Sequence, residues 1–478
     1  MSGHRRREYV LLDMLRKLQP LSRRQRLELI IRLSIPSMLA QLSVIIMMYI
    51  DASMVGSLGA NASAAIGLVS TTTWLFSGLC SAAGTGFSVQ VAHRIGANDL
   101  RGARSVLRQS FVAVLSFGVL LAGVGYAISG MLPEWLGGGE DIVSESSRYF
   151  SIFALSLPFM QLNHLSGSML RSSGNMRVPS VLSILMCVLD VLFNMLLIFP
   201  TREVSVLGVV VGVPGAGLGV SGAALGTALA ELVTAGMMTT YLCSRSRELR
   251  LVKERGSFCP TRRSLREAVR IGLPIGIEHG VMCGAQIMTT VIVAPLGAAA
   301  IAANSFAITA ESLCYMPGYG IGDAATTLVG QSKGSGSREM MNGFARMTVG
   351  VGMLVMLLMG VVMYVLAPWM IGVMTPDAEI RMLGVGALRI EAYAEAMYAA
   401  SIVAYGAFVG AGDTLIPSIM NLGSIWAVRL PLALIFAPRY GLVGVWIAMS
   451  IELCFRGVIF LLRLYFGKWQ RAGVRRGS

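Results

Sequence analysis

The sequence predicts an all-α integral membrane protein whose twelve transmembrane helices form two six-helix parallel repeats. Three observations carry this expectation. Mean hydropathy is +0.68 over 478 residues and only 13% of residues are charged. Apolar stretches of about 20 residues, the length a helix needs to cross hydrocarbon, recur along the whole chain. The chain also matches itself at a shift of 238 residues without a gap: Pro36 falls on Pro274, Leu58-Gly59-Ala60 on Leu296-Gly297-Ala298, Gly84 on Gly322 and Gly96 on Gly334. Gly174 falls on Gly412 and Pro179-Ser180 on Pro417-Ser418 at the same shift. Most of these residues are Gly and Pro, which set backbone shape, so the halves share one backbone plan. Third, basic residues crowd alternate connections, as the positive-inside rule requires of a multi-pass protein.

Composition excludes other classes. A soluble chain of this size could not hide so much apolar surface. A membrane barrel needs a period-two pattern that is absent, which leaves helices to satisfy the backbone in lipid. The net charge of +14 lies in short connections rather than along one soluble face, so it reports membrane orientation and not nucleic-acid binding. Cys80, Cys187, Cys243, Cys259, Cys283, Cys314 and Cys454 form no CxxC, lie mostly in apolar runs and read as small hydrophobes. The four histidines show no ligand spacing and no HExxH occurs. With no GxSxG elbow or paired catalytic acids on a loop, an enzyme is not expected, nor is a cofactor or metal. The basic N-terminus lacks a short apolar core with a cleavage site and does not read as a removable signal.

Residues 1–28 form a basic, partly amphipathic prelude with Arg5, Arg6, Arg7, Arg16, Lys17, Arg23 and Arg24, expected to lie on the cytoplasmic membrane surface. Spans follow near 30–56, 62–91, 104–132, 145–170, 177–200 and 216–243. The second set lies near 267–294, 300–329, 340–368, 381–408, 415–437 and 441–466. After the second span come His93, Arg94, Arg101, Arg104 and Arg108, and after the fourth Arg171 and Arg177. The most basic connection, after the sixth, holds Arg245, Arg247, Arg250, Lys253, Arg255, Arg262, Arg263, Arg266 and Arg270. Lys333 and Arg338 follow the eighth span, and the tail carries Lys468, Arg471, Arg475 and Arg476. Opposite connections are acidic or nearly neutral: Glu134, Glu140 and Asp141, then Asp377 and Glu379. This alternation puts both termini in the cytoplasm of a cell with the protein in its inner or plasma membrane. The expected organisation is a first lobe at 29–243, a cytoplasmic linker at 244–266, a second lobe at 267–466 and a basic tail at 467–478. An even number of spans per half leaves the repeats parallel.

An ordered set of motifs then resembles one family. The first half contains Leu33-Ser34-Ile35-Pro36, Tyr49-Ile50-Asp51-Ala52-Ser53-Met54-Val55-Gly56, Gly96-Ala97-Asn98-Asp99-Leu100-Arg101-Gly102-Ala103 and Leu170-Arg171-Ser172-Ser173-Gly174 leading to Pro179. The second contains Gly272-Leu273-Pro274, Ala294-Pro295-Leu296-Gly297 and Gly410-Ala411-Gly412-Asp413-Thr414 leading to Pro417. Over about residues 30–466 this resembles the MATE family, the multidrug and toxic compound extrusion transporters, in its prokaryotic form. The resemblance implies two six-helix lobes in a V with a central cleft. It implies export of organic cations or other amphipathic drugs against inward Na⁺ or H⁺, by a chain expected to act as a monomer. The alternative from the same superfamily is a flippase for lipid-linked oligosaccharide or lipid. That activity calls for a cationic cavity, whereas the charges within these spans are mostly acidic.

A charge at mid-bilayer costs roughly 2.5–3.5 kcal/mol on insertion scales, so intramembrane acids are candidates for binding a cation. Asp51 lies late in the first span and matches the family's first-helix aspartate, where the carboxylate takes the coupling ion; the other reading is a helix-end residue at the interface. Asp190 and Asn194, spaced i, i+4, share a helix face and together could complete a small cation site, or could knit helices together. The family pattern places Asn first there, and this chain reverses the order. Asn163 and Thr227 match polar positions near that site, and both are also common packing residues. In the second half, Glu278, Glu311, Asp323, Glu391 and Glu395 lie in spans, and Glu278 and Glu395 are candidates for a second cation or substrate site. The tenth-span acids are expected toward the outer end. Glu452 and Arg456, four apart, should pair with each other. The 30 Met residues suit either a cleft that accepts varied drugs or ordinary core and lipid-facing packing.

Overall fold

The structure, a computed structural model, describes residues 3–206, 209–252 and 256–471. Lys253, Arg255, Arg475 and Arg476 lie outside the described residues. A short helix α1 (Gly3–Arg16) precedes α2 (Arg23–Gly56), α3 (Ala60–Gly96), α4 (Leu100–Ile128), the single turn α5 (Leu132–Trp135), α6 (Glu140–Ser172) and α7 (Arg177–Leu197). Then come β1 (Pro200–Val206), β2 (Val209–Ala216) and α8 (Gly219–Ser244). The second half comprises α9 (Arg262–Val293), α10 (Ala298–Gly334), α11 (Arg338–Met374), α12 (Ala378–Glu391), α13 (Glu395–Gly410), α14 (Leu415–Ser424), a π turn (Ile425–Arg429) and α15 (Leu430–Phe466). Gly441 breaks α15 with φ 61°, which separates the eleventh span from the twelfth. With α12 and α13 taken as one broken span, the described helices make the twelve crossings.

Local chemistry explains the boundaries. Ser22 and Gln25 form a reciprocal capping box at the start of α2, with Gln25 N–H donating to Ser22 Oγ at 3.2 Å and Ser22 N–H to Gln25 Oε1 at 2.9 Å. Asp99 caps α4 and Ser337 caps α11, two positions 238 apart. The residues just before them, Asn98 and Gly336, both have positive φ. Gly59 and Gly297, and Gly174 and Gly412, repeat positive φ at the same shift. The duplication is therefore written in backbone dihedrals as well as in residue identity.

Three features differ from the sequence expectation. β1 and β2 pair antiparallel between the fifth and sixth spans, in a Val-rich run whose β-branched residues favour extended backbone. The tenth span is not one helix: α12 and α13 meet at a 60° bend. That bend puts Glu391 and Glu395 mid-span, about 20 Å of helix from the start of α12, and not toward the outer end as expected. Finally, the apolar stripe of α1 is buried against the bundle, a contact the sequence expectation did not include. Leu11, Leu12 and Leu15 are buried in one core with Leu29, Ile30 and Leu328, and Leu12 sits against Gly174. An amphipathic stripe buries itself against whatever apolar surface is nearest, and here that is the ends of the bundle.

The first six spans pack around α6, which lies against α3, α4 and α8, while α7 bridges α8 and α2. The second six pack around α10 and α13, with α11 and α15 outside them. The lobes meet where α2 lies on α10 and α3 on α9 and α10. At the end of the molecule carrying the basic connections this meeting has pseudo-two-fold symmetry. Gln331 Nε2 donates to the Ser172 carbonyl at 2.8 Å, and His93 Nε2 donates to the Gly410 carbonyl at 2.8 Å. His93 and Gln331 are 238 apart, as are Ser172 and Gly410. The basic end is thus closed across the lobes. α1 adds to the closure. Arg16 donates to Gln331 Oε1 at 3.1 Å in the second half, to the Ser173 carbonyl at 2.9 Å in the first, and to Glu248 Oε1 at 3.1 Å in the connection between them.

Candidate functional site

Away from the closed end the lobes enclose a cleft of about 700 Å³, a size suited to a drug-like ligand. α3 and α6 line its first-lobe wall with small polar residues such as Ser70, Thr71, Ser81 and Ser168, beside Trp74. The second-lobe wall is richer in chemistry: Glu278, Glu311, Tyr315, Tyr319, Tyr405 and Trp446 all face the cleft. Only Met282 and Met449 of the methionines line it, so most of the others serve packing elsewhere.

Charge in the cleft is balanced. Arg171, Arg429 and Arg456 line it alongside Glu278, Glu311 and Asp323. Glu452, fully buried behind the wall, takes Arg429 at 2.6 Å and Arg456 at 3.1 Å and also accepts from Ser424. Arg456 therefore pairs with Glu452 as its spacing suggested, and Arg429 joins them. Arg171 faces Asp323 across the lobes at 4.0 Å, and Ser37 Oγ donates to Asp323 at 2.9 Å. Tyr405 and Asn421 donate to the two oxygens of Glu278 at 2.7 and 2.6 Å. Glu395 lies outside the cleft wall with neither oxygen hydrogen-bonded, as does Glu391, and both side chains are fully buried. Glu278 and Glu395 do not share hydrogen-bond partners.

A second cluster lies inside the first lobe, away from the cleft lining. Asn194 Nδ2 donates to Asp51 Oδ1 at 3.0 Å and to Asp190 Oδ2 at 3.1 Å. Asp51 on α2 and Asp190 on α7 are thus bridged by one amide, while Thr227 on α8 donates to the Ala223 carbonyl at 3.2 Å. Asp190 is 0% and Asn194 1% exposed, and the Oδ1 atom of each has no hydrogen-bond donor. Asn194 Oδ1 is pressed against Gly226 of α8, where a Cβ would collide with it. Buried acceptors without donors suit a bound cation or proton. Asn163 is displaced from this group: its amide donates to Glu231 of α8 at 2.7 Å.

Two charged residues escaped the sequence reading. Glu231 and Arg429 both sit in apolar spans, and the rule that singled out Asp51, charge amid hydrocarbon, would have found them. All seven cysteines are free.

Comparison with known proteins agrees with this architecture. "Probable multidrug resistance protein NorM" of Thermotoga maritima is 28% identical over 453 residues, covering 93% of each chain. A protein of the same name from Pseudomonas aeruginosa is 29% identical over 441 residues, 88% of this chain and 85% of that one. Among solved structures, the "Crystal structure of MATE in complex with MaL6" superposes with a TM-score of 0.85 at 22% identity, covering 96% of this chain and 99% of the other. The "Outward-facing conformation of a multidrug resistance MATE family transporter of the MOP superfamily" superposes with a TM-score of 0.84 at 22% identity, covering 93% and 97%. The MatE family model matches twice, at residues 36–196 and 274–435. The two matches begin 238 residues apart, the shift at which the chain matches itself. With both halves of its membrane bundle matched, the chain belongs to the MatE family of transporters.

Proposed function

We propose that this protein is a secondary active antiporter that exports organic cations and amphipathic drugs in exchange for H⁺ or Na⁺. The observation that carries this reading is the Asp51–Asn194–Asp190 group, whose buried acceptor atoms lack donors. The relatives named for multidrug resistance support the class of cargo. The aromatic and acidic second-lobe wall suits it too, since rings and carboxylates both attract an organic cation.

The steps follow from charge. A proton or Na⁺ entering from outside binds between Asp51 and Asp190 and cancels one of their two charges, which lowers the penalty for enclosing them. The first lobe then repacks and loses its fit to the drug-loaded arrangement, so drug leaves outward. Positive-inside logic assigns the basic end to the cytoplasm, which makes the arrangement described here outward-facing. The lobes at 29–243 and 267–466 rock about the linker at 244–266. A membrane potential supplies about 2.3 kcal/mol per elementary charge per 100 mV, enough for one or two ions to sustain a large drug gradient. The lipid-flippase alternative requires a net cationic cavity, and the arginines of this cleft each face a carboxylate.

Dye efflux from proteoliposomes tests the reading. With either ion gradient imposed separately, Asp51→Asn should abolish ion-driven efflux while the protein remains folded. Undiminished efflux would remove Asp51 from the mechanism.

A further inference from the structure

We propose that Glu231 is a second ion-carrying carboxylate of the first lobe, so that each transport cycle moves two coupling cations rather than one. The inference rests on the antiport reading above and extends it.

Three observations converge on Glu231. It lies on α8 one turn beyond Thr227, on the same helix face, and Asn194 Oδ1 is pressed against the adjacent Gly226. The Asp190 charge acts directly on it. Asn163 of α6 spends its amide on Glu231 at 2.7 Å, which leaves Asn163 Oδ1 buried with no donor. Asp51, Asp190 and Glu231 therefore form one row of carboxylates from α2 through α7 to α8, with Asp190 fully buried and the other two half-buried.

That row has no positive partner. Among the described residues, none of the three acids is in an ion pair with Arg, Lys or His. The other titratable groups whose fields meet them are Tyr149 on α6, Cys187 on α7 and Cys80 on α3, none of which can supply a positive charge. A single cation bound between Asp51 and Asp190 would leave the lobe with two uncompensated negative charges in hydrocarbon. Two cations reduce this to one. The orphaned acceptors fall in two groups that match this division. Asp190 Oδ1 and Asn194 Oδ1 belong to the Asp51–Asp190 group, and Asn163 Oδ1 belongs to the amide that donates to Glu231. Asp190 and Asn194 are 0% and 1% exposed, so bulk water does not satisfy them.

The test is a stoichiometry. The purified full-length protein is reconstituted in proteoliposomes with the membrane potential clamped at zero, and steady-state ethidium accumulation is measured against imposed H⁺ or Na⁺ gradients. The log–log slope should be close to 2 for the wild type and close to 1 for Glu231→Gln, with Glu231→Asp restoring 2. A wild-type slope near 1, or an unchanged slope in Glu231→Gln, overturns the proposal. Should Glu231→Gln fold but not transport, cation release on adding ethidium in detergent decides the matter. One equivalent fewer than wild type supports the second station, and an equal number overturns it. Asp51→Asn separates the two ideas. If it retains ion-driven efflux, the antiport site itself is misplaced. If it loses efflux while Glu231→Gln behaves as wild type, only the second station fails.

Discussion

Gly96 and Gly334 are counterparts across the pseudo-two-fold axis, and each sits where a Cβ would collide with a carbonyl of the other's helix, that of Gln331 and of His93 respectively. Neither backbone can move away without parting the lobes at their basic end. Gly96→Val should therefore act on conformation more than on folding. Overpacking of this kind costs about 1–3 kcal/mol, which corresponds to a shift in the closed-to-open ratio of roughly 5- to 150-fold. Spin labels at the exposed positions Arg101 and Arg338, in a background without native cysteines, should report a longer distance in the variant. An unchanged distance distribution would show that the lobes do not separate here.

Arg16 joins α1 to both lobes and to the connection between them. Arg16→Ala leaves the buried Glu248 carboxylate without that guanidinium, a loss of about 1–3 kcal/mol for a charged hydrogen-bonding group. The expected result is release of α1 and faster tryptic cleavage at Arg23 and Arg24, both in the first turn of α2. Cleavage at the wild-type rate would mean that the buried leucines of α1 hold it unaided.

Glu452 compensates two arginines in the second-lobe wall. Glu452→Gln should destabilise the protein by about 3–5 kcal/mol, because Arg429 and Arg456 would both remain enclosed without a counter-charge. Adding Arg429→Gln should recover part of the loss, as expected for residues in one network. Thermal unfolding in detergent measures both variants, and strict additivity would show that the pairs contribute independently.

Much of this architecture was legible before any coordinates. Gly and Pro constrain dihedrals, so a shared spacing of Gly59, Gly174 and their counterparts exposed the duplication, and hydropathy gave the spans. The pairing of Asp190 with Asn194 followed from helical periodicity and the expense of charge in lipid. Other features had no comparable signal. Ala392, Tyr393 and Ala394, where the tenth span bends, include neither Gly nor Pro. The leucine stripe of α1 fits a bilayer surface as well as a protein groove, and only tertiary proximity decides between them. Asn163 was placed with Asp51 by its match to a family position, whereas its amide turns to Glu231, a neighbour that family matching gave no reason to consider.

The π turn marks a place where the halves differ in charge. At the 238-residue shift Asp190 falls on Val428, and Arg429 stands beside it in that turn. In this matching stretch one copy holds an acid that, among the described residues, has no ion-pair partner. The other holds a permanent base already matched by Glu452. Two halves that share one backbone plan thus differ in the charge they carry along matching helices, unpaired in the first and electrically settled in the second.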